Sequence, residues 1–210
     1  MSRDDLADGT TARELLANPM VARLLASELL ATLSFGIIAA ALGWHAYART
    51  GDPLTLGIIG ICEFVPALLL ALPAGQLADR VDRRYVTAAG DAATVVFAFL
   101  LLLDAWHGNT SAWPLYVLAA GLGGARAFAG AAFNPMLAAA VTPRALPRTM
   151  ALSSATWQGG MIAGPLLGGI FQALGDVSPY AAAIVVEVLG LILVLSASRR
   201  IGTDHKVINA

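Results

Sequence analysis

Charge is scarce in this chain. Only 13% of its 210 residues are Asp, Glu, Lys or Arg and 58% are apolar, against roughly 25% and 45–50% in soluble domains. The charges sum to −1 and form no basic stripe, so nothing points to nucleic acid. Cysteine is scarcer still. Cys62 stands alone inside an apolar block, which excludes an intrachain disulfide and a cysteine metal site and leaves a small packing residue. The histidines are His45, His107 and His205, and none meets Ser153 or Ser154. An intramembrane serine hydrolase needs such a meeting, and paired aspartates and metal-binding runs are absent too, so no catalytic residue, metal or cofactor is assigned. A nucleotide-binding loop is also lacking, which leaves an ion gradient as the source of any work. The alternating segments of a membrane barrel are missing as well.

What the chain has instead is long apolar blocks. A block of ~20 apolar residues crosses the hydrocarbon core as a helix, because lipid requires each backbone polar group to be paired within its own segment. Six spans are expected, at 21–48, 54–78, 85–106, 114–141, 147–174 and 178–198. Turn signals separate them, among them Thr50-Gly51-Asp52-Pro53, Gly108-Asn109 and Thr142-Pro143-Arg144. The expected organisation is a cytosolic tail at 1–18, with an interfacial helix leading into Asn18-Pro19, a membrane domain at 19–198 and a second cytosolic tail at 199–210. A cleaved signal peptide ending at Ala46-Tyr47-Ala48 is the rival reading, but the apolar run before it is too long. Trp44, Tyr47, Trp106, Trp113, Tyr116 and Tyr180 lie near span ends, as an aromatic belt would.

Basic residues set the orientation. The tails and the even-numbered connections hold Arg3, Arg13, Arg23, Arg80, Arg83, Arg84, Arg144, Arg148, Arg199, Arg200 and Lys206, whereas the three opposite connections hold only Arg49. Both termini are therefore expected in the cytoplasm of a multi-pass plasma-membrane protein.

Ionisable side chains fall inside the spans: Glu28, Glu63, Asp91, Arg126 and Glu187. Each costs about 2.5–3.5 kcal/mol at a span centre on insertion scales, so such groups face a bundle interior or a water-filled cavity. Glu28 and Asp91 lie toward the cytoplasmic side and are read as reaching headgroups or a structural partner. Arg126 is mid-span and cannot shed its charge, which makes it the first candidate for transport chemistry. Glu63 and Glu187 join it, because a carboxyl group in a low-dielectric site can exchange protons near neutral pH. A structural reading of both remains open.

The densest charge cluster is Gly75-Gln76-Leu77-Ala78-Asp79-Arg80-Val81-Asp82-Arg83-Arg84, a short turn at the membrane surface between two apolar blocks. In the fifth span Gly160, Gly164 and Gly168 are four apart and share one helix face, which permits close helix contact. Pro165 beside them removes a backbone hydrogen bond and bends the helix. The fourth span has its own small residues: Gly121, Gly123, Gly124, Ala125 and Gly130.

Together these segments resemble the major facilitator superfamily of twelve-span secondary transporters. Residues 75–84 resemble its loop signature between spans two and three, with Asp82 where glycine is usual. Arg126-Ala127-Phe128-Ala129-Gly130 resembles the fourth-span arginine motif, with Ala129 where glutamine is common, and residues 160–169 resemble the fifth-span motif of exporters. Residues 43–54 and 152–158 are similar to the enterobactin-exporter-like branch. The resemblance implies proton-coupled efflux of drug-like or siderophore-like amphipathic compounds. It implies that Gly75, Asp79, Arg80, Arg83 and Arg84 form a conformational loop in which Asp79 and Arg83 lock the cytoplasmic side. It also implies that Arg126 couples protons to substrate and that Gly164 and Pro165 form a flexible, closely packed element. The expected fold is all-α, a six-span bundle corresponding to the N-terminal half of the family architecture. A second six-span half or self-association is expected as a partner. The alternative is a non-transporting remnant or membrane interaction module that needs a second half.

Overall fold

A computed structural model describes residues 12–197. The remainder of both expected tails, with Arg3, Arg199, Arg200, His205 and Lys206, lies outside the described residues. Among the described residues the chain forms seven helices and no strand: α1 (Ala12–Ala17), α2 (Pro19–Thr50), α3 (Leu54–Arg80), α4 (Arg83–Trp106), α5 (Trp113–Ala139), α6 (Leu146–Gln172) and α7 (Ser178–Ala197). The short α1 precedes six long helices whose ends differ by a few residues from the expected spans. Five helices, α2 to α5 and α7, are long and apolar enough to cross a membrane. Helix α6 is as long as α3, but Ser153, Ser154, Thr156 and Gln158 make its first half more polar.

Local chemistry explains where the helices begin and end. Asn18 caps α2 by accepting from the Met20 N–H at 3.0 Å, with Pro19 at the first helical position. Gly51 ends α2 at φ 66°, the left-handed conformation that suits glycine, and donates to the Tyr47 carbonyl. Asp82 caps α4 by accepting from the Arg84 N–H at 3.0 Å. This gives the acidic residue in the loop signature a structural purpose. Pro165 does not interrupt α6, which runs unbroken from Leu146 to Gln172.

Helix packing follows a repeated scheme. Helix α3 packs on α5 as α6 packs on α2, and α4 packs on α5 as α7 packs on α2, while α4 meets α7. The chain reverses at each connection, so the units α2–α4 and α5–α7 are repeats of inverted topology. Glycines make the closest contacts. A Cβ built on Gly164 would sit 2.8 Å from the Gly36 Cα, and one on Gly36 would sit 2.7 Å from the Pro165 Cδ. Gly160 and Gly168 approach Thr32 and Ala40 of α2 in the same way. On α5, a Cβ at Gly123 would run into the Glu63 carbonyl oxygen and one at Gly121 into the Phe97 ring. Gly130 and Gly75 have open space instead, so close packing does not account for them.

The largest apolar core joins Ile37, Ile38 and Leu42 of α2 to Leu101, Leu115 and Tyr180. Helix α3 lies at the edge and exposes Leu54, Ile61, Phe64, Leu68, Leu69 and Leu72. Such a surface would aggregate in water, but it suits contact with acyl chains. Trp44, Tyr47, Trp106 and Trp113 are exposed near helix ends, as an interfacial belt requires. Tyr180 departs from that expectation. It is fully buried, and its hydroxyl lies 2.8 Å from His45 Nδ1, because a phenol inside a bundle needs a polar partner.

Candidate functional site

A cavity of about 280 Å³ opens among the long helices and collects most of the ionisable groups buried in them. Helical periodicity builds its walls. Helix α2 contributes Glu28, Thr32 and Phe35, α4 contributes Thr87, Asp91 and Thr94, and α5 contributes Arg126, Gly130 and Phe133. Glu63 enters from α3, Trp157 from α6 and Glu187 from α7.

The expected candidates Arg126 and Glu63 meet here. Arg126 Nη1 lies 3.7 Å from Glu63 Oε1, and the guanidinium carbon sits 3.5 Å above the Phe35 ring. The aromatic face is electron-rich and adds to the attraction for the cation. The separation exceeds hydrogen-bond length, and the two side chains keep 43% and 24% of their surface open. The pair is therefore held loosely and is accessible from the cavity. A second ion pair shows the contrast. Arg49 Nη2 and Asp104 Oδ2 are 2.6 Å apart, with side chains only 10% and 8% exposed. Asn109 also donates to Asp104, and Arg49 donates to the Ser111 carbonyl. That closed network ties α2 to the end of α4 and the next connection.

Glu187, the third candidate, lines the same cavity but is not ion-paired to Arg126. It lies beside Ser34, whose hydroxyl donates to the Ala183 carbonyl at 3.1 Å. Glu28 and Asp91 both line the cavity, and for Glu28 the expected structural partner is present. Glu28 has captured a polar neighbour: Ser153 Oγ lies 2.7 and 2.8 Å from its two carboxylate oxygens, and its single O–H proton is shared between them. Asp91 is only 5% exposed and has no hydrogen bond or ion pair among the described residues. The Thr87 hydroxyl is buried and unpartnered too. A polar stripe was available as a signal, because Thr87, Asp91 and Thr94 recur at helical spacing in an apolar helix.

The loop residues lie apart from the cavity. Asp79 and Arg80 are exposed at the end of α3. No ion pair joins Asp79 to Arg83 among the described residues, but both line one small cleft with Asp82 and Met136. Arg83 lies in the first turn of α4 and donates instead to the Pro135 carbonyl of α5 at 3.4 Å. Arg84 donates to the Leu195 carbonyl of α7 and lies over the Tyr85 ring. These arginines tie the start of α4 to its neighbours.

Long apolar helices around a charged cavity match one family by sequence: the Major Facilitator Superfamily model covers residues 24–208. The chain belongs to the Major Facilitator Superfamily. This superfamily protein is accordingly a multi-pass membrane transporter, and its substrate is a small molecule. Comparison with curated proteins finds no match.

Proposed function

We propose that this superfamily protein is the N-terminal half of an exporter that expels small amphipathic compounds, drug-like or siderophore-like, in exchange for protons. Its place is the plasma membrane, with both termini cytoplasmic. The observation that carries this reading is the Arg126–Glu63 pair at 3.7 Å, open to the cavity. A proton placed on Glu63 cancels the attraction and frees the guanidinium. Loss of the proton restores the pair, because an uncompensated charge in an apolar bundle is costly. Substrate and proton can thus compete for one switch. Glu187, on the α7 wall, supplies a second site for a proton.

In this reading the 280 Å³ cavity is one wall of a larger site. Transporters of this kind bind substrate near the midplane between two repeats. A second six-span half, or a second copy, would close over Arg126 and Glu63, with Gly75, Asp79, Arg80, Arg83 and Arg84 at the cytoplasmic junction. Helix α6, with Gly160, Gly164, Pro165 and Gly168 against α2, supplies the closely packed element that such closure bends.

Proteoliposomes carrying a pH gradient provide the test, with the protein assembled with its partner half or as a self-associated form. Proton-coupled efflux is expected in the wild type and lost in Arg126→Ala, with membrane insertion intact. Unchanged proton-coupled efflux in Arg126→Ala would exclude the assigned role.

A further inference from the structure

The cavity's charge balance is one-sided. Glu28, Glu63, Asp91 and Glu187 face it, against the single cation Arg126. Glu63 already engages that cation, and Glu28 has the Ser153 hydroxyl as a hydrogen-bond donor. The imbalance therefore falls on the wall where α4 meets α7. Asp91 and Glu187 are 5% and 4% exposed, Glu187 shares the Ser34 hydroxyl with the Ala183 carbonyl, and neither has an ion-pair partner among the described residues. Asp91 is near enough for its charge to act on Glu187. One turn from Asp91, the Thr87 hydroxyl is buried, lines the same cavity and makes no hydrogen bond.

Buried polar groups are nearly always hydrogen-bonded, and buried carboxylates need a counter-charge. Two carboxylates and a free hydroxyl offer acceptors for several N–H donors around one positive centre. A protonated amine brings both the charge and the donors. The remaining lining is apolar and aromatic, with Ile38, Leu42, Leu122, Phe133 and Trp157 among its members, which suits a hydrocarbon or aryl body behind the nitrogen.

We infer that the wall formed by Thr87, Asp91 and Glu187 binds the ammonium group of an amphipathic organic amine. The inference rests on the exporter reading and names the substrate class of its cavity. The amine nitrogen docks on the Asp91 and Glu187 carboxylates, in the same cavity as the Arg126–Glu63 pair.

The test measures equilibrium binding to the chain in lipid nanodiscs, using 2-phenylethylammonium, its neutral counterpart 2-phenylethanol and the anion 3-phenylpropanoate. The ammonium is expected to bind at least tenfold more tightly than the other two. The double variant Asp91→Asn/Glu187→Gln should weaken ammonium binding at least tenfold. Asp91→Glu should restore most of the affinity when Glu187 is kept, and Thr87→Val should weaken it a few-fold. Equal binding of the alcohol or anion, no binding of the ammonium, or a double variant that binds it normally would overturn the assignment. So would sodium chloride alone displacing the amine at equal concentration, which would mark a site for an inorganic cation. The wild-type probe series decides the question even if a variant fails to fold. Transport separates this inference from the broader reading. Tight amine binding without proton-coupled flux leaves the ammonium site standing and sinks the exporter, whereas proton-coupled efflux of 3-phenylpropanoate without amine binding does the reverse.

Discussion

Two arginines in this bundle are treated in opposite ways. Arg49 is closed in with Asp104 at 2.6 Å, whereas Arg126 stands 3.7 Å from Glu63 beside open space. Removing one member of a buried pair strands the other and costs about 3–5 kcal/mol. Asp104→Ala should therefore lower the unfolding midpoint in detergent markedly, while Arg126→Ala should change it little. Equal midpoints for Asp104→Ala and wild type would show that the closed pair is not holding α2 to α4. A smaller effect is expected at the same end of the molecule. Tyr180→Phe removes the hydroxyl at His45 Nδ1 and leaves a buried nitrogen unpaired, for a loss of roughly 1–3 kcal/mol, measurable as a lower midpoint. The sequence shows which residues are charged inside apolar blocks, and that made Arg126, Glu63 and Glu187 the candidates. It does not show which walls face each other. Glu28 and Asp91 therefore read as headgroup-reaching or structural residues until the helices are assembled, and Tyr180 reads as an interfacial tyrosine.

Element by element, the chain is far more legible. Length and apolarity locate α2 to α5 and α7 to within a few residues, since lipid leaves the backbone little alternative to helix. The four-residue spacing of Gly160, Gly164 and Gly168 anticipates a close neighbour but not its identity. The identity, α2, is set by shape at Thr32, Gly36 and Ala40. Gly164→Val places a branched side chain where a Cβ alone would meet the Gly36 Cα at 2.8 Å. That atom and the Leu33 carbonyl oxygen at 2.9 Å are backbone and cannot swing aside, so α6 must move away from α2. The expected loss is at least the ~1–3 kcal/mol of ordinary overpacking, seen as reduced yield of folded protein and faster proteolysis. Gly130→Ala, at a position with open space around it, should be tolerated. If the two variants fold equally well, α2 and α6 are not packed through these glycines.

For the whole molecule, orientation is the sharpest expectation. In a Cys62→Ala background, Asn109→Cys should react with an impermeant thiol reagent from outside and His205→Cys only from inside, and the opposite pattern would refute cytoplasmic termini. The inverted relation of α2–α4 to α5–α7 was not readable from the sequence, because the two units share packing geometry and not residues. One contact within that relation reaches further than its size suggests. Gly123 brings the α5 backbone against the Glu63 carbonyl, and Arg126, one turn further along α5, receives the Glu63 side chain. Main chain and side chain of one residue are thus moored to a single neighbouring helix. In a rocking bundle, α3 and α5 would ride together like two planks nailed at one point, so tilting alone is not expected to pull the charges apart. Under the proposed exchange of substrate for protons, a proton or a guest molecule arriving in the cavity would part them, and the switch would register occupancy and not posture.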